Sequence, residues 1–256
     1  TYSADRSQNV QTNYFLPNGE QTRSNDFTTK GNQDSAIITG QIDLSTPLTQ
    51  GALDWGLKFS DIKISSAQDF FNQTDQAPVL DQSLSDAFDY QENIFAAYFN
   101  IAREWELWSL EMGLRAEQTD VRGTSKNAGQ VNSQYYFELF PKMSLLYSAN
   151  QNNSFGMGYS RSITRPSYES LNPFRYFINE NNYTDGNPNL VPEIDSKYTL
   201  SYTYKNTWFL EAYYWHIKNP LEELRYQDNT TRVLQNLESN LLKGHQYSLD
   251  LTYAKS

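Results

Sequence analysis

Glu111, Arg115 and Glu117 sit on alternate positions of one short segment, with Ser109 and Gly113 on the same side. The residues between them are Trp108, Leu110, Met112, Leu114 and Ala116. Charges set in such a row can do one of two things. They can bind a polar or charged solute, or they can pair across neighbouring strands and brace a wall. Glu138 and Lys142 recur in the same arrangement against Tyr135, Phe137, Leu139, Met143, Leu145 and Tyr147, and Asp250 does so near the end. If residues 121–133 close symmetrically, Arg115 falls beside Glu138 on the next strand, so bracing is the expected role. Arg165 stands before Pro166, which cannot continue a ladder of hydrogen bonds, so a strand should end there. Arg165 is then expected at an outer rim, paired with an acid of a loop or touching an anionic ligand. Arg115, Glu117, Glu138, Lys142 and Arg165 are the candidate ligand contacts.

Other chemistries find little support. There is no cysteine, which removes disulfides, thiolate metal sites and cysteine nucleophiles. His216 and His245 are isolated and lack metal-ligand spacing. Asp81, Asp86 and Asp89 with Glu92 could offer oxygens to calcium, but without EF-hand spacing they read as a solvated loop. No glycine-rich phosphate loop and no Gly-x-Ser-x-Gly elbow occurs. The chain is therefore not expected to be an enzyme, and no cofactor or metal is implied. A net charge of −10 argues against nucleic acid as a partner, because phosphate neutralisation needs a basic surface.

The elements that carry these residues must present different chemistry on their two sides. In the segment from Tyr198 to Lys205, Tyr198, Leu200, Tyr202 and Tyr204 alternate with Thr199, Ser201 and Thr203. Period-two alternation of large aromatics with small hydroxyls fits a strand with apolar surroundings on one side and water on the other. Similar rows occur at 36–44, 53–59, 95–101, 108–116, 135–147, 155–159, 208–214 and 247–253. Aromatic residues make up 15% of the chain, with 19 Tyr, 14 Phe and 5 Trp. Rings with an apolar body and a polar tip suit the boundary between hydrocarbon and water. A mean hydropathy of −0.72 would be low for helical membrane segments. A barrel tolerates it, because only alternate residues meet lipid.

Turns near 50, 104, 151 and 206 are short, whereas the connections near 65–92, 120–134, 164–195 and 217–241 are long and polar. Short turns on one side and long loops on the other are the rhythm of outer-membrane barrels. Residues 1–34 read as a hairpin region standing clear of the membrane, with short strands at 11–16 and 22–29 around Pro17-Asn18-Gly19. A polar hairpin is expected from 221–226 and 232–237. The fold class is all-β: an antiparallel transmembrane β-barrel with about nine membrane strands plus extracellular hairpins, in one domain over 1–256. An odd count leaves an unpaired edge that lipid penalises, so the chain reads as part of a larger barrel. The abrupt start at Thr1-Tyr2, without a signal peptide, and an end lacking a terminal aromatic point the same way. A tyrosine-rich soluble β-sandwich that binds carbohydrate is the alternative without a membrane.

Proline and asparagine shape the segment Gly186-Asn187-Pro188-Asn189-Leu190-Val191-Pro192-Glu193. Two prolines fix φ and extend the residues before them, and Asn tolerates turn conformations. This reads as a shaped loop guiding the chain into the next strand. Together with Tyr159-Ser160-Arg161-Ser162-Ile163-Thr164-Arg165-Pro166-Ser167-Tyr168, Leu171-Asn172-Pro173-Phe174, Gly113-Leu114-Arg115-Ala116-Glu117-Gln118-Thr119 and Phe140-Pro141-Lys142-Met143-Ser144-Leu145, it resembles the outer-membrane β-barrel family of TonB-dependent receptors of Bacteroidetes-type bacteria. The resemblance runs from about residue 35 to 253. It implies a barrel of ~22 strands around a plug. It also implies import of a scarce nutrient (siderophore, cobalamin, glycan or peptide) across the outer membrane with energy passed through TonB. Arg165, Pro166, Asn172, Pro173, Gly186, Asn187, Pro188, Pro192 and Glu193 would form its structural loop motif. The partners implied are outer-membrane lipid, a plug domain and TonB system contributed by chain outside this stretch, and a small-molecule, glycan or peptide substrate. Other readings are a porin-like or structural outer-membrane barrel that works without TonB, and an adhesin acting through its loops.

Overall fold

The computed structural model describes residues 1–73 and 77–254. Its strands are β1 (Tyr2–Phe15), β2 (Gln21–Leu48), β3 (Gly51–Asn72), β4 (Val79–Leu80), β5 (Asp86–Glu104), β6 (Trp108–Ser125), β7 (Gln130–Asn150), β8 (Asn153–Thr164), β9 (Arg175–Asn179), β10 (Asn182–Asp185), β11 (Glu193–Tyr204), β12 (Trp208–Lys218), β13 (Leu221–Asp228), β14 (Val233–Asn240) and β15 (Lys243–Tyr253), with one short helix, α1 (Tyr168–Leu171). The main sheet runs in the order β1-β2-β3-β5-β6-β7-β8-β11-β12-β15, with β4 on the end of β3. Every pairing in it is antiparallel. A smaller sheet, β13-β14-β10-β9, comes from the two longest connections.

The outer face carries the apolar rows. Register aligns Leu110, Leu145, Met157, Leu200, Ala212 and Leu249 across six strands. Below them, toward the short turns, Trp108 stacks on Tyr147 at 4.3 Å, Phe155 on Tyr202 at 4.9 Å, and Trp208 meets Tyr253 at 4.8 Å. Leu200 is 63% exposed and Leu249 73%, although both are large and apolar. A row of that size left open to solvent marks a surface made for an apolar medium. No second layer of protein covers it among the described residues, which excludes the soluble sandwich.

Nine strands carry the expected rows, namely β2, β3, β5, β6, β7, β8, β11, β12 and β15. Two expected loops are largely strand. Residues 65–92 continue β3 to Asn72 and resume β5 at Asp86, with Ala67 opposite Ala87. Residues 120–133 extend β6 to Ser125 and start β7 at Gln130, leaving a tight turn that closes with Gly129 at φ 64°. Sequence alternation fades there because both faces are polar above the hydrocarbon, yet the backbone ladder continues. The strands expected at 11–16 and 22–29 are the tip of a longer hairpin. Its second arm, β2, runs without a break into the membrane row at 36–44. The hairpin is thus an upward continuation of the wall. The reading of the chain's last residues rests on 255–256, which lie outside the described residues.

Between β7 and β8 the ladder stops at Lys142–Ser160. The next residue up β7 is Pro141, which has no N–H to donate. Arg161 spans the resulting opening and donates to the Leu139 carbonyl and, at 2.5 Å, to the Glu138 carboxylate.

Candidate functional site

The inner face is built from the residues that alternate with the lipid-facing rows. The segment 164–195, expected as irregular, folds back across it as α1, β9 and β10. Pro166 follows the end of β8 at Thr164, as its missing donor requires. Ser167 then caps α1 by accepting from the Ser170 amide. Leu171, Phe174 and Leu190 bury against Phe88 and Tyr90 of β5. Phe177 of β9 joins Phe27 and Phe70 in a second aromatic cluster, with centroids 4.9 and 5.4 Å apart.

Asn172 is 1% exposed and fully employed. Its side-chain amide donates to Tyr168 Oη at 3.2 Å and its carbonyl accepts the Phe174 amide at 3.1 Å. Burial pushes the Tyr168 hydroxyl up to about 12. Gly186 lies against the Asn172 carbonyl so closely that a Cβ would collide with it, which explains the glycine. Asn187 accepts from the Asn189 amide at 3.1 Å and donates to the Glu238 carbonyl at 3.2 Å. Pro188 sits in the turn that this Asn closes, Pro173 follows Asn172 directly, and Pro192 delivers the chain to β11. Glu193, the first residue of β11, accepts the Leu221 amide at 2.9 Å. These residues join the two long connections: β10 pairs with β14 in parallel, and Gln235 donates to Asp185 at 2.8 Å.

The charged candidates do not form the expected Arg115–Glu138 pair. Register sets Arg115 opposite Phe140, and the guanidinium turns along its own strand to Glu117 at 2.6 Å. Glu138 pairs with Arg161, and Lys142 with Glu111 at 2.9 Å. Arg165 is not at the rim. It points inward, half-buried, and contacts Glu117 and, at 3.1 Å, Glu92. Tyr90 Oη donates to Glu92 at 3.2 Å. Arg165 donates also to Thr119 Oγ1 at 3.2 Å, beneath the loop. The structure therefore gathers Tyr90, Glu92, Arg165, Glu117 and Arg115 into one chain of alternating charge that bolts the incoming loop to β5 and β6.

Sequence reading missed Glu92 as a member of this network and Arg161 as the partner of Glu138. No local pattern marks Arg161, which stands in the outer row with Met157 and Tyr159 and reaches Glu138 through the opening beside Pro141. Glu92 was read as a loop acid, and the extension of β5 overturns that. Its supposed calcium-binding companions also disperse. Asp81 caps Ser83, Asp86 holds Ser125 and the Asn127 amide, and Asp89 pairs with Lys126 at 2.8 Å. His216 and His245, distant in sequence, stand opposite each other on β12 and β15 with ring centroids 4.9 Å apart.

Among the depressions on this side, three adjoin the charged network or the aromatic clusters. One of about 490 Å³ lies on the lower inner wall between Tyr98, Asn100, Arg115, Lys142 and Arg161. A second, about 460 Å³, lies between the β1–β2 hairpin and the loop, lined by Arg6, Gln8, Asn32, Gln68, Asn172 and Tyr176. A third, about 670 Å³, lies between the hairpin and the small sheet and is faced by Phe27, Phe70, Phe177, Tyr183, Tyr226 and Arg175. The upper two combine aromatic faces with amides and charges, which suits capture of a solute with both polar and flat surfaces.

Comparison with curated proteins found no match. Among solved structures the chain is similar to the copper transporter OprC, at 10% identity and a TM-score of 0.59, covering 98% of this chain and 44% of that one. It is similar to FpvA of P. aeruginosa, solved as a complex with a heterologous pyoverdine and iron, at 11% identity and a TM-score of 0.55, covering 99% and 35%. It is also similar to the ferric citrate transporter FecA, at 13% identity and a TM-score of 0.52, covering 97% and 36%. The chain thus spans 35–44% of the length of these three structures, and the likeness is one of fold. A family model described as the outer membrane protein beta-barrel family matches residues 1–256. With its apolar outer rows, its wet inner face and this match over its whole length, the chain belongs to that family and is a wall of a β-barrel in the bacterial outer membrane.

Proposed function

We propose that this wall belongs to a receptor of the TonB-dependent type, which captures a scarce nutrient at its extracellular loops and admits it through a lumen closed by a plug. One observation carries the reading. The two longest connections fold inward over the inner face and fuse into a single sheet, and the first of them is bolted to the wall through Arg165. An open diffusion channel would keep that space clear. A receptor needs a shaped surface above the lumen, and the upper two depressions supply it. The likeness to barrels that carry copper, ferric citrate and ferric pyoverdine supports the same class. The substrate is a small molecule, a glycan or a peptide.

In this mechanism the chain's own work is positional. Its outer rows satisfy lipid, its ion pairs brace the inner wall, and its loops hold the captured solute until the plug rearranges. The test is uptake by cells carrying the full-length gene, with and without a functional TonB system. Saturable accumulation of labelled ferric siderophore, cobalamin, oligosaccharide or peptide that vanishes without TonB is the expected result. TonB-independent, non-saturable entry of small solutes would instead make it a porin.

A further inference from the structure

On the outer face of the last two strands, register sets basic side chains directly opposite one another. Lys218 faces Lys243, and one step below, His216 faces His245. The directly opposed lysines destabilise the strand pair unless something anionic lies between them. Among the described residues, no acid forms an ion pair with either lysine. Acids on the neighbouring strands are engaged elsewhere, Glu193 with the Leu221 amide among them. Asp195, next to the Ser196 that pairs with His216, accepts from Trp215 at 2.8 Å on the inner side. Glu138 is held by Arg161, the residue that continues the histidine row across β8. His216 Nδ1 is buried with no hydrogen-bond partner, and His245 Nδ1 meets Tyr214 Oη at 2.9 Å.

The level of these lysines and histidines decides what the anion is. Trp208 marks the lower boundary of the apolar band on β12, and His216 lies eight positions above it on the same face. At about 3.4 Å per residue and a tilt near 40°, that is a rise of ~20 Å, with the lysines ~5 Å higher. An apolar band is about 25 Å tall, so the four groups stand where outer-leaflet headgroups begin. Directly beneath runs a ladder of Tyr159, Tyr198, Tyr214 and Tyr247, with successive centroids 4.8, 5.9 and 5.0 Å apart. Leu242, 92% exposed, projects beside Lys243. The arrangement is a pair of opposed lysines over a pair of opposed histidines, above an aromatic slope and facing lipid.

We propose that Lys218, Lys243, His216 and His245 bind the phosphate of an anionic lipid in the outer leaflet. The phosphate lies between the two lysines, the imidazoles approach it from below, and an acyl chain runs down the tyrosine ladder. The site is independent of the transported solute, which meets the opposite face.

The experiment uses the full-length protein, folded and purified in neutral detergent, and native mass spectrometry. Dimyristoyl phosphatidic acid, dimyristoyl phosphatidylcholine and inorganic phosphate are titrated in turn. Wild type should retain phosphatidic acid well above phosphatidylcholine and show no comparable affinity for inorganic phosphate. Lys218→Gln with Lys243→Gln should weaken phosphatidic acid binding about thirtyfold, because each lysine near an anionic surface contributes roughly fivefold. Lys218→Arg with Lys243→Arg should preserve it. Should the double Gln variant fail to fold, Lys243→Gln alone should lose about fivefold. Equal retention of the two lipids, unchanged binding in the Gln variants, or inorganic phosphate bound as tightly as the lipid would each overturn the proposal.

Discussion

Arg165 shows how one residue converts a loop into part of a wall. Its guanidinium joins Glu117 of β6 to Glu92 of β5, and its own backbone belongs to the connection leaving β8. Removing one partner of a buried ion pair leaves the others uncompensated, at a cost of about 3–5 kcal/mol. Arg165→Ala should therefore release the segment 165–192, read as faster amide exchange in α1 and β9 while β6 and β7 keep their protection. Arg165→Lys keeps the charge but not the forked donors, and should fall between. Unchanged protection in Arg165→Ala would remove the bolt from the account. The two faces can be tested at a single step along β11. Leu200→Arg should impair folding into lipid by roughly 2–4 kcal/mol, its row lying near the middle of the apolar band. Ser201→Arg points into water and should cost much less, checked by equilibrium refolding into vesicles. Equal costs would refute the assignment of faces. The ion pairs themselves were only half legible. Alternation told which charges share a face, but which of them meet depends on register, and Arg115 misses Glu138 by one diagonal step.

Elements were legible wherever two solvents impose opposite demands. The rows on β6, β7 and β11 declare themselves because lipid wants Leu and Tyr while water accepts Glu, Lys and Ser. Above the membrane both faces are wet, alternation loses its cause, and β3, β5, β6 and β7 were cut short in the reading for that reason. The loop sheet was least legible: β10 and β14 are parallel partners from connections far apart in sequence, and no local pattern announces that. Its docking rests on Phe177 against Phe27 and Phe70. Phe177→Ala should cost about 3–5 kcal/mol of docking, as for other buried phenylalanines, with loss of protection confined to β9, β10 and β14. The same sheet should respond to pH through Asp185. Burial raises its pKa more than Arg175 and Gln235 lower it, so the folded loop holds a proton more readily than the unfolded one. The stabilisation from that proton is present at low pH and is lost as pH rises from the unfolded aspartate range through the raised folded value. Protection factors in β10 should rise on acidification toward that window, and Asp185→Asn should flatten the dependence. A wild-type profile as flat as that of the variant would show that the carboxylate is not penalised.

At the scale of the whole molecule, the sheet has two membrane-level edges that no strand covers among the described residues: β2 below its pairing with β1, and β15 along its length. The free edge of β2 runs from 36 to 48, where its only ladder is with β3. In water such an edge is tolerable. In hydrocarbon each unpaired N–H and C=O costs several kcal/mol, and a strand exposes one every other residue on its open side. The apolar rows on the outer face favour insertion, but they do nothing for the edges, so a wall of this width has no stable place in lipid until further strands close it. Residues 1–256 expressed alone and refolded into phosphatidylcholine vesicles should therefore fail to give a protease-protected, heat-modifiable band. The same segment within its full-length chain should give one. Strands joined through β15 and β2 should also make the amides of those two edges as slow to exchange as those of β6 and β7. A protected, heat-modifiable product from the segment alone would mean that the two edges meet each other, and that the wall closes into a small barrel by itself.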